Sequence, residues 1–134
     1  MSIEKHQARV AALNALGKDL ARRARSRCEL CLQSSDSLMG EKLLPHELSP
    51  EQVEPSLDWL LLLCKRCRAL DNPSLPPDLE DKQLFFLQDS CWSEVKAAQI
   101  LSIRVLRVLA QAGAHWANDT LDSCFIDDDL EALL

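Results

Sequence analysis

Residues 57–68 read LDWLLLLCKRCR: four leucines in a row run straight into two cysteines with two cations between them. The uninterrupted apolar run, residues 59–64, is too short for an independent helix and far short of the ~20 residues that cross a membrane. Bounded by turn signals, it reads as a buried strand whose end delivers Cys64 and Cys67 to one place. A pair with the same spacing, Cys28 and Cys31, stands earlier in the chain, with 32 residues between the two pairs.

Two intervening residues let a tight turn aim both sulfurs of a pair at one point. Two such turns facing each other supply four thiolates in a tetrahedron, with Zn–S distances of about 2.3 Å. The segment between the pairs must fold back, and a β-hairpin ending in the leucine run does this. The expected fold class is therefore α+β and mostly helical. A four-cysteine zinc-knuckle hairpin, of zinc-ribbon or treble-clef type, packs against N-terminal and C-terminal helices. Zn2+ is the expected cofactor, held by Cys28, Cys31, Cys64 and Cys67. A closed shell of four thiolates leaves no position for substrate, so the role expected of it is structural. Lys65 and Arg66, beside residues 22–27, offset the charge of about −2 that four thiolates leave around a divalent ion. An iron–sulfur cluster and a redox pair are the rival uses of this spacing. Cys91 and Cys124 lie outside the set among apolar neighbours and read as small buried hydrophobes.

The 134 residues suit one domain, 1–134, with a helical segment over 1–27, the knuckle hairpin over 28–75 and a helical part over 76–134. There is no tyrosine and aromatics make up only 4%, so leucine and alanine must fill the interior. The N-terminus, MSIEKHQARV, carries charge where an export signal needs an apolar block. A cytoplasmic location with no membrane partner is expected, and in a reducing compartment six cysteines favour metal over disulfides. The net charge of −6 is uneven. Residues 1–27 hold seven Lys/Arg against two acids, and the remainder holds eight against nineteen. Arg22, Arg23, Arg25 and Arg27, with Lys65, Arg66 and Arg68 near the metal pair, form a candidate nucleic-acid-binding cluster. The acidic balance repels nucleic acid at long range, so mutual attraction of the two parts, or simple solvation of both faces, is the favoured reading.

Along the chain, Val10, Leu13, Leu16, Leu20 and Ala24 mark one apolar stripe of a helix over residues 3–25, which Gly17 could divide. LMGEKLLPHELSP, residues 38–50, reads as the first strand, placed at an edge or broken by Pro45. One or two helical turns follow Cys64 and end before Pro73. The segment NPSLPPDLED is the best internal boundary. Asp89 or Ser90 is expected to cap a long helix that starts near Trp92 and stops at Gly113. Val95, Ala98, Leu101, Val105 and Leu109 face inward, and Ile100 and Ile103 widen the apolar arc. Residues 116–125 suggest a shorter helix. A last one starts at Asp127 or Asp128 and runs to Leu134, with Asp128 and Glu131 at capping-box spacing.

His46 stands in LLPHELSP between the cysteine pairs, where nucleases of the HNH type place a reactive histidine on a hairpin between zinc knuckles. Leu44 and Pro45 occupy the positions where those enzymes pair an acid or histidine with it. No further histidine follows Cys67 closely enough to hold a catalytic metal. His6 and His115 have no visible partner, and no glycine-rich phosphate loop, GxSxG or HExxH is present. No catalytic residue is assigned.

The order RSRCELC (25–31), LLLCKRC (61–67), NP (72–73), LQDSCWSEVKAAQILSIRVLRVL (87–109) and WANDTLD…DDDLEALL (116–134) resembles the N-terminal region of the PhnA family, named after alkylphosphonate-utilisation gene clusters. The resemblance covers most of the chain from about residue 19. It implies a zinc-ribbon-like knuckle followed by helices. This sequence departs from the family at three points. Leu32 follows Cys31 where members usually have glycine. Cys91 stands where they usually have methionine. The small β-barrel-like C-terminal domain of typical members is not among the 134 residues. Carbon–phosphorus hydrolysis would need an open metal site or an activated nucleophile, and these residues contain neither pattern. The expected function is a small zinc-stabilised interaction or regulatory module with no chemistry of its own, with an unidentified protein as partner. Nucleic-acid binding is the alternative, and a degenerate nuclease using His46 the third reading.

Overall fold

The computed structural model describes residues 3–34, 39–48, 54–71 and 78–134. The start of the expected first strand at Leu38, its end at Pro50, and residues 72–77 of the proline-rich connector lie outside the described residues.

Helix α1 spans Ile3–Ala24 and runs through Gly17 undivided. Only Leu20 and Ala24 of its apolar stripe are buried; Leu13 and Leu16 are half-buried and Val10 is exposed. The stripe is real, but the core covers only its C-terminal end. Arg25 and Ser26 then adopt left-handed φ angles of 54° and 60°, which turn the chain out of the helix.

Strand β1 (Leu44–Glu47) pairs antiparallel with β2 (Leu60–Leu63), with Leu44 opposite Leu63 and Glu47 opposite Leu60. The first strand is thus four residues long, much shorter than the stretch expected to form it. Pro45 faces Leu62. Both backbone groups of Leu62 point away from β1, bonding Glu29 instead. Pro45 therefore sits at a non-hydrogen-bonded pair, where its missing N–H costs the ladder nothing. In β2, Leu60, Leu61 and Leu63 are buried, as the reading of LLLLC as interior strand requires.

Helix α2 (Lys65–Leu70) starts directly after Cys64. Beyond the connector, α3 (Leu87–Ser90) is a single turn, and α4 (Lys96–Gln111) is the central helix. The long helix thus begins four residues later than expected, and Asp89 and Ser90 lie in a separate turn before it. The break follows from Ser93, whose Oγ accepts the Val95 N–H and holds an extended entry to α4. Nine of the sixteen residues of α4 are buried, including Ala97, Ile100, Leu101, Ile103 and Leu106, so it is covered on several sides. Gly113, at φ 108°, reverses the chain, and α5 (His115–Ser123) packs back on α4. Trp116 donates its indole N–H to the Leu79 carbonyl at 2.7 Å and tilts against Phe85.

The last helix, α6 (Asp128–Glu131), is one turn. The Asp127 carboxylate caps it, accepting the Leu130 N–H at 2.8 Å, so no Asp128–Glu131 capping box forms. Glu131 instead pairs with Arg107 of α4, which holds its carboxyl below the ordinary range. Leu130 is buried, and Leu133 and Leu134 pack partly against the core. Among the described residues no helix is long and apolar enough to cross a membrane.

Candidate metal centre

The first cysteine pair is presented by a closed turn. Arg27 bridges to Ser34, the Cys28 N–H donates to the Gln33 carbonyl, and the Leu32 N–H donates back to the Cys28 carbonyl at 2.9 Å. Closing this turn forces Leu32 to φ 65°, a left-handed angle that costs a side-chain-bearing residue about 1–2 kcal/mol. The second pair sits on the start of α2. Cys64 is its N-cap and Cys67 lies in its first turn, so the end of β2 and the helix start together fix both sulfurs.

These elements bring one ligand atom from each of Cys28, Cys31, Cys64 and Cys67 within 4.8 Å of one another. The Cys31 and Cys64 sulfurs are 3.9 Å apart. Four thiolates about 2.3 Å from a common ion in a tetrahedron stand about 3.8 Å from each other, so the set has the span a metal needs. Cys28, Cys64 and Cys67 are fully buried and Cys31 is half-buried. None forms a disulfide. Hydrogen bonds from the Cys28 and Cys67 thiols favour the Cys31 thiolate and pull its pKa down to about 3. Cys67, donating to its neighbours and more deeply buried, keeps its proton far more strongly than an ordinary thiol. A metal held by Cys28, Cys31, Cys64 and Cys67 would take the place of these protons and relieve the crowding of the sulfurs.

Arg66 is the cation placed to offset charge on the sulfurs. Burial disfavours its charge, but the sulfurs of Cys67, Cys31 and Cys64 outweigh that effect and raise its pKa. Its guanidinium lies 5.3 Å from the centre of the Phe86 ring, and its Nε is buried with no hydrogen-bond partner among the described residues. Lys65 is exposed. Arg68 donates to the Leu63 carbonyl at 2.6 Å, securing the strand–helix junction. A small cleft of about 170 Å3 borders Cys31, lined in part by Glu29, Phe86, Asp89 and Ser90.

Arg23, expected in the anion-binding cluster, works inside the fold. It grips the buried Glu29 carboxylate through two bonds, at 2.7 and 3.0 Å, and donates to the Leu57 and Leu60 carbonyls. Glu29 accepts the Leu62 N–H at 2.9 Å and donates its own N–H to the Leu62 carbonyl. The pair therefore satisfies the free edge of β2 and anchors α1 to the metal hairpin. Arg22, Arg25 and Arg27 are exposed and line an open groove with Leu32, Glu94 and Val95.

His46 on β1 meets Asp71, the residue after α2, at 2.7 Å. Spacing gave no hint of this partner, which lies 25 residues away and is brought in by the hairpin and helix. Cys91 and Cys124, read as separate buried hydrophobes, meet at 3.0 Å. The equal 33-residue offsets, Cys31 to Cys64 and Cys91 to Cys124, carried no usable signal.

The fold and this cluster together define a small α+β chain built around a four-thiol ligand set able to hold a metal ion. No protein-family model, curated protein or solved structure matches the chain at a significant level.

Proposed function

We propose that this chain is a small cytoplasmic zinc protein of PhnA-like type, an interaction or regulatory module whose metal is structural. The observation that carries this reading is the four-sulfur cluster, whose 3.9 Å separation of Cys31 and Cys64 matches a tetrahedral zinc site. Cys28, Cys31, Cys64 and Cys67 would hold the ion, which supplies folding energy and leaves no coordination position open. The order of knuckle, hairpin and helix, with the second pair on the helix start, favours the treble-clef form over the zinc ribbon. Leu32 remains a departure from the PhnA-like pattern. The family usually has glycine there, and a φ of 65° is the conformation for which glycine is suited.

Native mass spectrometry of the purified protein tests this directly. One zinc per chain is the expected result, lost from a Cys64→Ser, Cys67→Ser variant. A metal-free folded chain, or a mass and visible absorption belonging to an iron–sulfur cluster, would overturn it.

Nucleic-acid binding remains as a second reading because Arg22, Arg25 and Arg27 are exposed along one groove. Arg23 and Arg68 bond backbone and Glu29 within the fold, so the exposed arginines and Lys65 would carry the contacts. A gel shift with mixed-sequence RNA and DNA, weakening with salt and abolished by Arg22→Glu with Arg25→Glu, is its signature. No shift at low salt disposes of it.

A further inference from the structure

We propose that Cys91 and Cys124 form a peroxide-responsive dithiol, separate from the metal ligands, that closes to an intramolecular disulfide. Their sulfurs lie 3.0 Å apart although the residues are 33 positions apart in sequence. A disulfide bond is about 2.05 Å long, so closure asks the sulfurs to approach by roughly 1 Å.

Both backbones are already held. Cys91 follows α3, and its carbonyl accepts the Gln99 side-chain N–H from α4 at 3.3 Å. Cys124 follows α5, and its N–H is bonded to the Thr120 and Leu121 carbonyls at 3.1 and 3.2 Å. The two ends are fixed independently by different helices packed on α4. The sulfurs therefore meet because of the packing and stay together without searching.

The two thiols differ in a way that assigns their parts. Cys91 is 1% exposed, and its Sγ also points to the Gln88 carbonyl at 3.4 Å. Burial, and then its bond with Cys124, pushes its pKa up to about 12, so it is a poor first nucleophile. Cys124 is only half-buried and is the sulfur an oxidant reaches. A hydroperoxide, as the two-electron oxidant, converts the Cys124 thiol to a sulfenic acid and is itself reduced to water or an alcohol. The Cys91 sulfur then attacks the sulfenic sulfur. The S–S bond forms, the S–O bond breaks, and the hydroxyl leaves as water with the Cys91 proton. The four remaining cysteines would be held by a metal and less open to the same reagent. The bond would fasten the turn beside the Cys31 cleft to the end of α5.

Treatment of the metal-loaded protein with a small excess of hydrogen peroxide, followed by thiol alkylation, tryptic digestion and mass spectrometry, tests this. The expected product joins peptide 83–96 to peptide 108–134, is lighter than their sum by two hydrogens, and is released by dithiothreitol. Metal content is unchanged. In Cys91→Ala the cross-link is absent and a sulfenic acid on Cys124 is trapped by dimedone. In Cys124→Ser neither a cross-link nor a dimedone adduct appears at Cys91. The inference falls if both thiols remain fully alkylatable, if Cys124 passes to the sulfinic acid without cross-linking, or if a metal ligand is oxidised first. A dimedone adduct on Cys91 in Cys124→Ser would overturn it as well.

Discussion

Leu32 and Glu29 show how single residues near the centre answer to backbone demands. Leu32 is 62% exposed, so its side chain contributes little burial, yet it is held at a left-handed φ by the turn that presents Cys28 and Cys31. Leu32→Gly should therefore stabilise the metal-loaded protein by about 1 kcal/mol, the relief at φ exceeding the added freedom of the unfolded chain. Denaturant melts of the two proteins decide this, and an unchanged or lower midpoint contradicts it. Glu29 is the opposite case, since its side chain is only 2% exposed and accepts three hydrogen bonds. Glu29→Ala leaves the Arg23 charge and the Leu62 N–H without their partner and should cost about 3 kcal/mol. A loss below about 1 kcal/mol in the same melts would show that water substitutes for the carboxylate.

At the scale of elements, burial separates the helices that the core holds from those held by local bonds. The leucine run and the α4 pattern were readable because each concentrates apolar residues at a period its element imposes. Helix ends were harder. Asp89 looks like a cap, but it lies in the separate turn of Leu87 and Ser90, and Ser93 Oγ accepts the Val95 N–H in the turn that leads into α4. The final helix survives as one turn because Asp127 caps it, Arg107 binds Glu131, and Arg104 donates to the Leu133 carbonyl. Asp127→Ala should cost about 1 kcal/mol of stability and speed amide exchange at Leu130. Exchange unchanged at that amide would mean that packing of Leu130 alone orders the turn.

For the whole molecule, three of the four clustered cysteines are fully buried and lie within the same core cluster as Leu61, Leu63 and the inner face of α4. On the proposed zinc reading, removing the ion would leave crowded thiols at the junction of the hairpin and helices. Binding energy of structural zinc sites is on the order of 10 kcal/mol, comparable with the stability of an ordinary domain. A strong chelator should therefore unfold the hairpin and loosen α4, seen as loss of far-UV circular dichroism and restored by adding zinc. Acid should act in the same direction. Metal binding requires thiolates, so affinity falls as pH falls and protons reclaim the sulfurs. A chain whose spectrum is unmoved by chelation at neutral pH would show that the core stands without the ion.

Much of this architecture was legible before any fold was known. Repeated CxxC spacing and an apolar run ending on the second pair marked the four cysteines that the fold brings together and the inner strand, because ligand geometry and burial leave direct marks on residue type. The partners of charged and polar groups left no such mark. Arg23 with Glu29, His46 with Asp71, and Cys91 with Cys124 are joined across 6, 25 and 33 positions. Which arginine is exposed and which is bound within the fold was equally hidden. Composition and period register the free energy of burial, which each residue carries on its own. A specific polar contact belongs to two residues at once, and folding alone brings them within reach.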